Sequence, residues 1–281
     1  MASRQLDAEP DVESAWHALG RSLVSQGRVG TTTGHRSDHI VFRDLGTPAV
    51  LLNSEPVRPR IAKTYELLAF LVTHPDRAAT REQLLTALFD GRADDASRAY
   101  LRQAVRWLKA LDPADGWVLS DRTTVALAPG TVVRSESVRF ETAVAEANRL
   151  RGSRRIEEMT AALSITERGA FLDGTESPWA ARRRQVLLAL AAQTRTSLAT
   201  HLYEAGRLME SQRQIEQVLE SEPLRESGWR LRMRIAAELG DSDGVIIAFR
   251  QCEDALEDIG MTISLATRRL LENLSGSAPL L

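Results

Sequence analysis

The chain has a single cysteine, Cys252, and only two lysines, Lys63 and Lys109, among 36 basic residues. One cysteine excludes an intramolecular disulfide and any multi-cysteine metal site, which suits a reducing compartment and predicts a cytoplasmic protein. No apolar run approaches the roughly 20 residues that cross a bilayer. The opening MASRQLDAEP lacks the apolar core of a signal peptide, so no membrane association is expected. A Gly-Lys-Ser/Thr phosphate loop, GxGxxG after a strand and HExxH are all absent, and His17, His35, His39, His74 and His201 are scattered. Neither an enzyme nor a bound cofactor is expected. His35, Asp38 and His39 stand close together, but with no cysteine partner and in a polar linker they make no metal site. The net charge of -2 excludes a polyanion-binding surface spread over the whole molecule. Between Ile40 and Gly130 twelve basic residues face eleven acidic ones, so a nucleic-acid contact there must come from a local patch.

A length of 281 residues points to two domains, with apolar content high enough for two cores. The heavy use of arginine, alanine and leucine fits a GC-rich genome. Residues 1–39 read as an extension, in which Val12, Ala15, Trp16, Leu19 and Leu23 form the stripe of a short helix ending near Gly27, followed by a polar linker. From Ile40 the pattern changes to short strands, IVFRDLG, AVLLN and PVRPRI, predicting a small antiparallel sheet. Lys63 to Thr73 is a helix with Leu67, Leu68 and Leu71 on its buried face. Thr80 opens the next, with Gln83 placed for a capping box and Leu84, Leu85, Leu88 and Phe89 facing inward. After Pro113, WVLS and TVAL flank Asp121, Arg122 and Thr123 as a tight hairpin.

Between these lies Asp94 to Leu111, DDASRAYLRQAVRWLKAL. Leu101, Val105, Leu108 and Leu111 share one face, while Arg98, Arg102, Arg106 and Lys109 follow the same spacing on another. Asp94 or Asp95 caps its start, and Pro113 marks its end. Taken alone, the stretch reads as an ordinary solvated helix face. With a capped helix before it and a hairpin after it, the order is that of a winged helix, whose third helix enters the major groove beside the wing. Arg98, Arg102, Gln103 and Arg106 are then placed to meet base edges or phosphates, arginine suiting guanine and glutamine adenine. Lys109 is read as a phosphate contact and Arg122, at the wing tip, as a contact to backbone or minor groove. Thr80 and Arg81 are read as a phosphate site made of free helix amides plus charge. Tyr100 and Trp107 are read as packed against the sheet or the neighbouring helix.

The remainder is helical. Gly206 and Gly240 stand 34 residues apart, and the same offset relates Ile215 to Phe249 and Val218 to Cys252, the length of a tetratricopeptide helix pair. Pairs are expected at about 137–166, 178–221 and 223–258, with a final helix from Ile263 to Leu274. Cys252 then reads as a small buried residue.

Several stretches together resemble the SARP family of actinobacterial transcription activators. They are FRDLG at Phe42, KTYELLAFL at Lys63, TREQLLTALF at Thr80, YLRQAVRWLKAL at Tyr100, GAFLDG at Gly169, ESEPLRESGWRLRMRIAAELG and FRQCEDALEDIGM. The resemblance covers about residues 40–275. It implies a mainly α fold with a small β part: a winged helix-turn-helix over 40–133 and a tetratricopeptide-like bacterial transcriptional activator domain over 134–281. It also implies promoter DNA and RNA polymerase as partners, often with side-by-side copies of the protein on direct repeats. The wing lacks the Gly-Tyr pair common before its second strand, and VRSE at Val133 replaces the acidic start usual for the next helix. The alternative is a helical-repeat adaptor for other proteins whose winged helix reads no DNA, with Arg182, Arg183 and Arg184 as a candidate partner contact.

Overall fold

The computed structural model describes residues 40–111 and 116–276; the helix and linker read between Val12 and His39 lie outside them. Alternation in the first strand, β1 (Ile40–Arg43), turns Ile40 and Phe42 into the core and leaves Val41 and Arg43 half-buried. It pairs antiparallel with β2 (Ala49–Leu52), which pairs with β3 (Glu55–Val57). The predicted antiparallel sheet gains a fourth strand, β7 (Val133–Ser135), which returns after the hairpin and lies parallel to β1.

Helix α1 (Lys63–Thr73) buries Leu67, Leu68 and Leu71 completely. A three-residue strand, β4 (Ala78–Thr80), leads into α2 (Arg81–Phe89). The capping box is present: the Thr80 hydroxyl accepts from the Gln83 N–H at 3.1 Å, and the Gln83 side chain accepts from the Thr80 N–H at 2.8 Å. Thr80→Ala removes half of this reciprocal pair and is expected to lower stability by about 1 kcal/mol, measurable by denaturant unfolding. Helix α3 (Asp95–Ala110) follows, then β5 (Val118–Ser120) and β6 (Thr124–Leu127). Strand β4 adds to the far side of β6, so the expected hairpin is a three-stranded sheet, β4-β6-β5. Helix, strand and helix, third helix, then hairpin: residues 40–135 form a winged helix-turn-helix.

The second half is three helix pairs and a closing helix. They are α4 (Glu136–Ala147) with α5 (Gly152–Ile165), α6 (Pro178–Glu204) with α7 (Leu208–Ser221), α8 (Glu226–Glu238) with α9 (Ser242–Glu257), and α10 (Leu265–Gly276). Gly206 and Gly240 sit in equivalent turns of the second and third pairs at φ +72° and +74°, a left-handed conformation that glycine adopts without steric cost. Val218 and Cys252, matched by the 34-residue offset, are both fully buried. Burial pushes the Cys252 thiol up to about 11, so it stays protonated and unreactive at neutral pH. Glu226 ties the closing helix down, accepting from the hydroxyls of Ser264 and Thr267 at 2.5 Å each.

The two halves meet in a hydrogen-bonded seam. Asp44, fully buried after β1, accepts from Ser135 Oγ at 2.6 Å, Ser137 Oγ at 2.6 Å and the Ser137 N–H at 2.8 Å. VRSE therefore does start α4: Ser135 Oγ accepts from the Val138 N–H at 3.2 Å while donating to Asp44. Burial raises the Asp44 carboxyl above its ordinary value despite these donors. Next to it the backbone of Leu45 and Gly46 pairs with the GAFLDG loop, Gly46 N–H to Ala170 O at 2.7 Å and Leu172 N–H to Asp44 O at 2.8 Å. The boundary placed after Val133 falls within β7. The hydrophobic core crosses it, one cluster running from Ile40 to Leu202 and a second from Ala199 to Ile263.

Candidate nucleic-acid interface

Helix α3 starts at Asp94, whose side chain accepts from the Ser97 N–H at 2.7 Å; of the two candidate caps it is Asp94, and Asp95 lies in the first turn. Bonds from Ser97 hold the Asp94 carboxyl below its ordinary range. Ser97, Leu101, Ala104, Val105 and Leu108 are buried. Arg98, Arg102, Gln103 and Arg106 are exposed, and Lys109 is half-buried. The cationic row is thus a solvent face carried on a helix fixed by the buried stripe beside it. Tyr100 packs edge-on against Phe89 of α2, with ring centroids 6.2 Å apart. Trp107 is half-buried, with the Arg60 guanidinium 5.0 Å from its ring centre. Arg60 was not singled out from the sequence, because nothing in its local spacing relates it to a tryptophan 47 positions later.

The wing tip is a hydrogen-bonded turn. Asp121 Oδ1 accepts from the Thr123 and Thr124 N–H groups at 2.7 Å each and from the Thr123 hydroxyl at 3.0 Å. These bonds hold its carboxyl below the usual range. Arg122 projects from this turn, exposed. Between the turn, α2 and the start of α3 lies an open groove of about 1060 Å³, and Thr80, Arg81, Arg98, Arg102 and Arg122 all line it. Five of the eight predicted site residues therefore share one concavity. Gln103, Arg106 and Lys109 lie outside its lining, farther along α3 or around it. Glu82 and Asp121 also line it, so the groove is mixed in charge.

Two expected roles need correction. The Thr80 and Arg81 amides are not free for a phosphate: the Thr80 N–H bonds to Gln83, and the Arg81 N–H bonds to Thr123 O at 2.7 Å. The Arg81 guanidinium is also engaged, donating to Asp121 O from Nε at 3.2 Å and from Nη2 at 2.9 Å. The capping box supplies the physical reason in one case and the adjoining wing in the other. Similarly, Arg183 pairs with Glu141 of α4, and Arg184 donates to the carbonyls of Phe171 and Thr175 at 2.9 and 2.7 Å. Two of the three consecutive arginines are bonded within the helical half, and of the three only Arg182 is an exposed cation.

Residues 136–274 match the family model of the bacterial transcriptional activator domain. A solved structure of the same fold is that of Mycobacterium tuberculosis EmbR in complex with a low affinity phosphopeptide. The two superpose with a TM-score of 0.73 at 22% identity, over 86% of this chain and 66% of that one. The chain thus spans about two thirds of the length of that structure, 66%. No curated protein matches the sequence. A winged helix-turn-helix joined to an activator domain of this family defines a transcriptional regulator. In this arrangement the chain is similar to regulators of the SARP type. Among the described residues no helix is long and apolar enough to cross a membrane.

Proposed function

We propose that the protein reads promoter DNA with α3 and the wing, in side-by-side copies on direct repeats, and helps recruit RNA polymerase through its activator domain. It acts in the cytoplasm, without enzymatic activity or cofactor. The observation that carries the reading is the groove in which Arg98 and Arg102 of α3 face Arg122 of the wing, on a domain otherwise near charge balance. Arg98, Arg102, Gln103 and Arg106 meet base edges or phosphates, Lys109 a phosphate and Arg122 the backbone or minor groove. Because the positive charge is local, binding depends on a few residues, with little nonspecific background.

The test is a mobility shift of the protein's own upstream region by the purified full chain, followed by footprinting to give site and repeat spacing. A footprint of paired, evenly spaced sites supports the reading. No shift at low salt favours the adaptor. Lys109→Ala is expected to weaken specific and random DNA alike and to lower the slope of log K against log salt by about 0.9. A salt titration on both DNAs checks this, and a loss confined to the specific site would reassign Lys109 to base reading.

A further inference from the structure

One arginine of the groove is committed to the protein itself. Arg81 donates twice from its guanidinium to the Asp121 carbonyl and once from its backbone to the Thr123 carbonyl, while Asp121 gathers the Thr123 and Thr124 amides from within. The turn that carries Arg122 is therefore held from two sides, by its own aspartate and by the first residue of α2. Helix α2 packs on α3, so this clamp places the wing tip in register with the arginine row. Arg98, Arg102 and Arg122 make no such side-chain bond among the described residues.

We propose, resting on the reading of this groove as the DNA interface, that Arg81 is a positioning residue. It presets the wing so that Arg122 and α3 meet the duplex as one surface, and it adds no phosphate contact of its own. A tip ordered before binding removes an ordering cost from association, so the clamp acts on affinity through Arg122.

The test combines Arg81→Gln with Arg122→Ala, singly and together, in the full chain, with far-UV circular dichroism and melting to show that each variant is folded. Each single variant is expected to weaken DNA binding about tenfold and to lower the salt slope by about 0.9. In the Arg122→Ala background, Arg81→Gln should cost nothing more and leave the slope unchanged. A further loss of affinity and a second drop in slope would make Arg81 a direct contact and overturn the proposal, as would an Arg122→Ala protein that binds normally. Arg81→Lys keeps the charge but loses the two-pronged bond. It should still weaken binding in the native background and not beside Arg122→Ala; full retention of affinity overturns the clamp. On the free protein, the Thr123 and Thr124 amides should exchange with solvent about tenfold faster in Arg81→Gln. This last measurement needs no DNA. If the native protein binds none, the DNA reading falls by itself, and unchanged exchange at the tip would separately overturn the clamp.

Discussion

The double variant Arg98→Ala/Arg102→Ala is expected to remain folded and to lose specific promoter binding. Both side chains are exposed on α3, beside the face that buries Leu101, Val105 and Leu108, so removing them opens no cavity. Neither guanidinium is paired with an acidic residue among the described ones, so no buried charge is orphaned. A bidentate arginine contact to a base is worth about 1 to 3 kcal/mol, so losing two weakens binding by about 30-fold or more. Random-sequence DNA should be affected less, which makes the ratio of the two affinities the quantity to measure. Arg106→Ala, one turn farther along the row, is expected to act in the same direction. Native-like specificity in the folded double variant would remove α3 from the interface.

A change far from the groove should have the largest effect on folding. Gly46 adopts φ +72°, and a Cβ there would stand 2.4 Å from the carbonyl oxygen of Arg168, while Gly169 in turn lies against the Gly46 backbone. Both neighbours are main chain and cannot swing aside. Gly46→Ala combines the cost of a left-handed conformation with a backbone clash, together about 3 kcal/mol. Gly240→Ala is the matched control: the same left-handed φ, +74°, with nothing within 4 Å of the added carbon. It should cost only about 1 kcal/mol. Denaturant unfolding of the two proteins side by side decides the matter, and equal losses would mean that the seam yields.

The parts of this fold written in local periodicity were legible in the sequence. Helix α1 occupies the expected span, Thr80 and Gln83 form their capping box, and the leucine face of α3 is buried where the three-four spacing put it. The helix pairs follow the 34-residue offset because Gly206 and Gly240 end equivalent helices. Strands β4 and β7 carry no such signal: each has three residues and pairs with a strand distant in the chain, β6 and β1. Periodicity also shows which side of a helix is buried without naming what covers it. Arg81, Arg183 and Arg184 accordingly read as free cations, although their partners lie 40, 42 and 13 positions away in the chain. The seam between Asp44 and Ser137 spans 93 positions and has no local signature at all.

The 27-residue α6 contributes Ala180, Leu187, Leu198 and Leu202 to the core shared with the winged helix, and Ala199 to the core of the later repeats. The units that open and close cooperatively therefore need not coincide with the units that carry separate names. Residues 40 to about 202 are expected to form one unit of protection against hydrogen exchange, and the repeats beyond another joined to it through α6. A winged helix cut free at residue 133 would expose surfaces that Phe140, Met159 and Leu163 now cover. The winged helix and the first helices of the activator domain would then be inherited, expressed and melted as a single body.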